Sequence, residues 1–570
     1  MNKFQRYSCF AFTALFAVAV FCFFCFPYRY HVAYQEQYQL FEWTAAYFSS
    51  VCSVPGGFAD WCGRFLVQFF IQAPVGALIY SLLLTLVQIL CFLCCRARNP
   101  LLYVLTFIPA ILLWVFLCNE NSMAGTAVAL ILSLSALWCA LRYNWRYPLR
   151  LALIPVLYMA CGPVAAVYAL AICADRMRPV MLVCSLAILA ACPVAGQYVF
   201  HRTLLQLGTG VHYFRYPFVV TWMPLIVSAV AAVICWLSAL RWNGVRPSTT
   251  SWLGWCVAMV MAAVTPFVIR QSCDFRKEES MKYDFLVRYR LWNRTIDAAA
   301  RKQPNSPMTV CCLNLALAMN SQLADHQFEF FQNGTDGLLP GFVRDFTSPL
   351  PTSEAYWNLG MVNTAQRYTF EAQEAIPDQQ KSARCYRRLV QTNLINGDID
   401  VARKYLDALD NTLFYRRWAL DIEKAIDDGS VLEDPELKRI AELRLKDHDF
   451  LFSENEMDSM IGLLMVENGT NTVAVQYLMS WCLLKKDLDR FEQCFSLVRG
   501  GVMNKSYQEA LLLHWAMTHK DFEGLPSDLQ GPDLGRLGRF VEAYEAGTSE
   551  EEMLKKFGDT YWFYYFYRYR

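Results

Sequence analysis

The chain is 570 residues long, with 55% hydrophobic residues, 18% charged residues and a formal net charge of +1. That is too little charge to cover a water-soluble protein of this size, and the near-neutrality hides an asymmetry. Residues 1–270 carry 16 Lys/Arg against 5 Asp/Glu, and residues 271–570 carry 35 against 45. A secreted soluble enzyme, a disordered chain and a nucleic-acid binder with a basic footprint are excluded.

Eight apolar stretches fall in the first half, at 8–26, 67–95, 101–118, 123–141, 151–173, 179–200, 218–240 and 252–269. Each reaches about 18 residues, enough to span a hydrocarbon core, and none has a charged residue inside. Lys3 and Arg6 precede the first, but Phe26-Pro27-Tyr28 offers no small-residue cleavage site, so an uncleaved anchor is predicted. Prolines 74, 109, 155, 163, 193, 224 and 266 interrupt all but the first and fourth stretches. They read as ordinary membrane kinks or as broken helices around a transport site. No intramembrane carboxylate or base is present to couple an ion, which ranks a transporter third among the functions considered. With the N-terminus inside, nine Lys/Arg fall on the cytoplasmic side and six opposite. An even number of spans then returns the chain to the cytoplasm, where residues 275–570 are expected. No cysteine cluster has partner ligands at zinc spacing, Cys91-x-x-Cys94-Cys95 included, so neither a metal nor a cofactor is expected.

Residues 27–64 form the one long connection of this half and hold three of its five acids, Glu36, Glu42 and Asp60. From Glu36 to Tyr47, the residues Leu40, Phe41, Thr44 and Tyr47 recur at helical spacing beside Trp43. This predicts a short amphipathic helix at the interface, followed by a turn at Pro55-Gly56-Gly57. The loop is either an anchor or a site in which Glu36, Glu42 or Asp60 acts as a catalytic or substrate-binding acid. Cys52 and Cys62 would form a disulfide in an oxidising compartment or remain two thiols.

The run Gln35-Glu36-Gln37-x-Gln39-Leu40-Phe41, followed by Pro55-Gly56-Gly57-x-Ala59-Asp60-x-x-Gly63-x-Phe65, resembles an uncharacterised family of bacterial polytopic membrane proteins. Arg367-Tyr368-Thr369-Phe370-Glu371-Ala372 and Tyr561-Trp562-Phe563-Tyr564-Tyr565 extend the resemblance over nearly the whole chain. It implies a bacterial inner membrane and carries no activity. A looser resemblance is to the GT-C glycosyltransferases, which pair a multispan bundle with an acid-bearing first loop and act on lipid-linked sugars. Here no acid directly follows the first span, no D-x-D occurs in a loop of the membrane half, and Glu120 and Asp175 stand alone.

From about 275 the periodicity is helical and polar. Hairpins are predicted for 283–302 with 308–325, 353–376 with 382–396, and 399–409 with 413–427, with further helices to 546. Tyr386-x-x-Leu389, Asn396-Gly397-Asp398, Ala402 and Leu406 resemble the tetratricopeptide (TPR) pattern. The fold class is therefore all-α: a transmembrane bundle of about 8 spans over 1–270, then a soluble TPR-like solenoid over 275–570. Such a solenoid offers a concave face to proteins. No nucleophile elbow, phosphate loop, zinc-protease motif or dinucleotide fingerprint appears. Arg387-Arg388 and Arg416-Arg417 read as solvated pairs, and His514 and His519 as core or surface residues. The last ten residues hold eight aromatics, which must dock either on the helical domain or at the membrane. The leading function is a membrane anchor presenting a helical platform to a protein partner, with the lipid bilayer as its other partner and no nucleic acid. The alternative is a GT-C-like enzyme acting on lipid-linked substrates.

Overall fold

The computed structural model describes residues 3–568 except 98, 175–178, 241–246, 344, 379, 446–455, 499–502 and 520–523. Asp175 lies outside the described residues. These fold as α-helices, 3₁₀ turns and loops; the one β feature is an isolated bridge between Ser122 and Phe214. Two compact units form. The first comprises Met1–Glu278 together with Pro377–Ala383 and Ala408–Arg417; the second is Glu279–Ile376, Arg384–Asp407 and Trp418–Arg570.

In the first unit the long helices are α1 (Lys3–Cys25), α2 (Gly57–Val67), α3 (Ala73–Cys94), α4 (Pro100–Leu117, bent at Thr106), α5 (Gly125–Arg142), α6 (Tyr147–Cys161), α7 (Ala166–Ala171), α8 (Pro179–Phe200), α9 (Met223–Ala239) and α10 (Pro247–Ser272). Seven described segments are long and apolar enough to cross a membrane; α9, at 17 residues, falls just short. Neighbours run antiparallel: Ser81 Oγ donates to the Ala17 carbonyl at 2.7 Å, and Thr13 Oγ1 to Gln88 Oε1 at 3.1 Å. A polar group inside hydrocarbon needs an internal partner, and these bonds supply it.

The stretch Tyr147–Ala171 has the length and composition of one span, yet it reverses at Gly162. Arg150 Nη1 donates to the Ile172 carbonyl at 3.1 Å, and Tyr168 OH to the Arg150 carbonyl at 3.1 Å. Residues 150 and 172 would stand roughly 33 Å apart in a continuous helix. Gly162 has φ +60, and a Cβ there would approach Tyr213 OH and the Cα of Gly56 at 3.2 and 3.4 Å, so the turn needs glycine. Tyr213 clamps it, accepting from Val164 N at 2.9 Å and donating to the Cys161 carbonyl.

This reversal changes the parity of the chain. One face of the bundle gathers the start of α1, the α3–α4 connection and the end of α9, where Ala97 N donates to the Ser238 carbonyl at 3.1 Å. The other face gathers the first loop, the α4–α5 connection and the end of α10. There Tyr28 OH donates to the Cys118 carbonyl at 2.9 Å and accepts from Asp274 N at 3.3 Å. The even span count expected from sequence puts both ends of this region on one face; with α6 and α7 counted separately, they lie on opposite faces.

The second unit is built of helical hairpins. The helix expected over 353–376 is two, Pro349–Leu359 and Val362–Glu374, because Gly360 adopts φ +90 and its missing Cβ would meet the Leu443 carbonyl at 2.8 Å. The helix expected over 283–302 likewise breaks at Arg290, with φ 54. Arg388, read from sequence as solvated, is half-buried: it donates to Glu354 at 2.7 Å and stacks over Trp357 at 4.2 Å. Beside it Arg384 pairs with the fully buried Asp284 at 2.7 Å. Arg416 is exposed and pairs with Asp410 at 3.2 Å, within the first unit. His514 contacts Asp489 at 2.9 Å and His519 stacks on Trp515 at 3.8 Å. The aromatic C-terminus is the helix Tyr561–Tyr567, docked on its own unit. Trp562 Nε1 donates to the Glu509 carbonyl at 2.8 Å, and Tyr564 OH to the Leu484 carbonyl at 3.0 Å.

Candidate functional site

The first part of the first loop, residues 31–41, is buried inside the unit. Arg29–Gln35 is helical, Glu36–Tyr38 is a 3₁₀ turn, and Gln39–Trp43 is irregular before the helix Ala45–Cys52, whose N-cap Thr44 accepts from Tyr47 N at 3.1 Å. The amphipathic helix expected from Glu36 to Tyr47 is absent because Tyr38, Leu40 and Phe41 are buried inside the unit. The segments 377–383 and 408–417 cover them: Trp43 N donates to the Asn411 carbonyl at 2.8 Å, and Phe69 meets Phe414 at 5.4 Å.

Helix α2 follows the turn at Gly56, whose φ is +89. A Cβ on Gly63 would lie 2.4 Å from Gly125 N, so α2 and α5 pack backbone to backbone there. That approach buries the α2 face carrying Asp60 and Arg64, one helical turn apart and only 1% and 4% exposed. Arg64 Nε donates to Asp60 Oδ2 at 2.7 Å, and His212 Nδ1 sits 3.2 Å from the same oxygen. The segment bearing His212 is fixed by two backbone bonds, Met123 N to the Tyr213 carbonyl at 3.0 Å and Arg215 N to the Asn121 carbonyl at 2.8 Å. Arg215, also fully buried, donates to the Tyr38 carbonyl at 3.1 Å, lies 4.5 Å over the Tyr38 ring and pairs with Asp378 at 3.3 Å.

The electrostatics are those of paired buried charges. Burial opposes ionisation of Asp60, but Arg64 and His212 outweigh it and hold the carboxyl below its usual range. Burial lowers Arg215, with Asp378 and Tyr38 pulling the other way. Four atoms of the cluster are buried without a hydrogen-bond partner: Asp60 Oδ1, Arg64 Nη1, His212 Nε2 and Arg215 Nε.

Glu36 and Glu42 have partners of their own. Tyr415 OH donates to Glu36 Oε1 at 2.7 Å, beside a cavity of about 20 Å³ that has room for a single water. Lys381 pairs with Glu42 at 3.1 Å. The three acids thus each meet a different partner. Glu120 pairs with Lys277. Cys52 and Cys62 stand as separate thiols. Among the described residues no three His, Cys, Asp or Glu side chains come together as a metal site. Sequence reasoning missed His212, Arg215, Asp378, Lys381 and Tyr415, none of which sits in a recognisable motif. Chemically, the Asp60 carboxylate faces the imidazole at Nδ1, and Nε2 is buried without a partner.

A multi-pass bundle with a braced first loop and a helical C-terminal region defines an all-α integral membrane protein. The chain belongs to a family of unknown function, DUF6057, whose model matches residues 4–568. No curated protein and no solved structure matches it. Nothing in these comparisons ties the chain to tetratricopeptide proteins or to GT-C glycosyltransferases.

Proposed function

We propose that this protein is a membrane anchor that presents its C-terminal helical region, as a TPR-like platform, to a protein partner outside the cytoplasm. The observation that carries this reading is the engagement of all three first-loop acids by Arg64, His212, Lys381 and Tyr415, the arrangement of a brace. The sidedness rests on the reversal at Gly162. With it, the described Lys/Arg before residue 271 divide into six on the N-terminal face, at 3, 6, 96, 142, 146 and 150, and five on the first-loop face, at 29, 64, 202, 215 and 270. With the buried Arg150, Arg64 and Arg215 set aside, five stand against three. Such a bias favours a cytoplasmic N-terminal face and an exoplasmic first loop, the reverse of the cytoplasmic 275–570 region expected from the even count. The test is an alkaline-phosphatase fusion at residue 290 combined with photo-cross-linkers at the exposed Phe370, Ile399 and Val401. Active phosphatase and an adduct of defined mass support the reading; an inactive fusion or the absence of any adduct refutes it.

A second reading, a GT-C-like enzyme acting on lipid-linked substrates, draws on the Asp60–His212 pair and the unpartnered imidazole Nε2. Asp60 would orient His212 as base, with Glu36 and Glu42 as further candidate acids. Turnover of a polyprenyl-phosphate sugar that is abolished by Asp60→Asn and by His212→Gln would favour it.

A further inference from the structure

Helices α1 and α10 both pack on α4 but part from each other between their ends. Near the N-terminal face Phe12 meets Trp255 at 5.4 Å, and near the first-loop face Asp274 N bonds Tyr28 OH at 3.3 Å. Between these closures Ala19 of α1 and Ala258 and Ala262 of α10 leave a cavity of about 870 Å³. Every residue lining it is apolar or aromatic except Thr265 and Arg270. Its sides are membrane-spanning helices, so hydrocarbon surrounds it, and an empty apolar groove of this size forfeits dispersion contacts along its whole wall.

One polar group says what kind of chain fills it. Arg270, exposed and without an ion pair among the described residues, lies at the end nearest the first-loop face. A guanidinium at the mouth calls for an anionic oxygen on a molecule that is otherwise hydrocarbon. A transmembrane helix from a second copy brings carbonyls already bonded within itself. A glycerophospholipid brings a phosphate at the level of the arginine and hydrocarbon below it.

We infer that this groove holds an acyl chain of one glycerophospholipid from the leaflet on the first-loop face, with its phosphate at Arg270. The inference rests on the membrane-anchor reading. The α1–α10 groove is then a built lipid site, distinct from the general lipid coat of the bundle.

The full-length protein, purified in mild detergent, is examined by native mass spectrometry with lipid identification. The expected result is one phospholipid retained per chain. Ala262→Trp, and independently Ala19→Leu, fill the cavity and should remove that lipid while the melting temperature stays that of wild type. Arg270→Gln should lower retention about fivefold, the worth of one arginine at a membrane surface. Equal retention in wild type and both filled variants overturns the proposal. So does retention of a polyprenyl phosphate in its place, or a dimer that Ala262→Trp converts to monomer. Carbonate extraction of the same cells separates the two readings: a chain absent from the membrane fraction defeats the anchor itself, whereas an integral chain without bound lipid defeats only the groove.

Discussion

Replacing Asp60 by alanine should be among the most damaging single changes in the membrane unit. The substitution removes a carboxylate 2.7 Å from Arg64 Nε and 3.2 Å from His212 Nδ1. It leaves the Arg64 guanidinium, 4% exposed, with a buried charge that no other acid contacts directly. Breaking a buried pair by deleting one partner costs about 3–5 kcal/mol, because the survivor must stay desolvated and unpaired. At about 2 °C per kcal/mol for a unit of this size, the melting temperature in detergent, followed by tryptophan fluorescence, should fall by roughly 6–10 °C. Asp60→Leu combined with Arg64→Met removes both charges and should recover most of the loss, since an apolar pair of similar volume is close to neutral. The pH dependence has a fixed sign. The folded carboxyl lies below its usual range, so its contribution is complete at neutral pH and is lost only as acid falls through that folded value, under about pH 4. An Asp60→Ala protein melting within about 1 °C of wild type at pH 7 would refute the claim that this pair holds the first loop.

Three further outcomes follow from the same structure. Glu509 is buried, and burial raises its carboxyl to about 8. Stability should therefore decline between about pH 4.5, where the unfolded group ionises, and pH 8, and Glu509→Gln should flatten that slope in melts taken from pH 5 to 9. Trp562 is fully buried, so Trp562→Ala should cost about 3–5 kcal/mol; an unchanged denaturation midpoint would mean that the tail contributes nothing to its unit. Gly162→Ala should destabilise by about 1–3 kcal/mol, because only glycine readily adopts its backbone conformation. Gly208→Ala, with nothing within 4 Å of the added Cβ, should melt like wild type.

The apolar helices and the tail were legible from composition, since a charge-free run of 18 residues and a cluster of eight rings each admit few physical outcomes. The reversal at Gly162 was not. Cys161-Gly162-Pro163 inside an apolar run has the same local signature as a kinked span, and what turns it is Tyr213, a residue from a distant loop. The first loop failed for a similar reason. Leu40 and Phe41 have the spacing of an interfacial helix, but the surface that buries them arrives hundreds of residues later. Of the acids, Asp60 was singled out without its partner His212, and Glu36 without Tyr415, 379 residues away. Tertiary pairing over such separations leaves no periodic trace in either segment. Arg388 was misread because a double arginine looks solvated until the aromatic face of Trp357 is placed beneath it.

The assignment of 377–383 and 408–417 to the first unit has a consequence for biosynthesis. When α10 has been made, Glu36, Glu42 and Arg215 still lack Tyr415, Lys381 and Asp378. The membrane unit cannot reach its final packing until the ribosome has passed residue 417. During that interval Leu40 and Phe41 lack the part of their cover that residues 412–415 supply, and exposed apolar surface in an incomplete intermediate is a route to misassembly. A chain ended at residue 278 should therefore insert but stay loosely folded and protease-sensitive around the first loop. Supplying 279–570 as a separate polypeptide would restore protection only if the two inward segments can thread back into place after insertion.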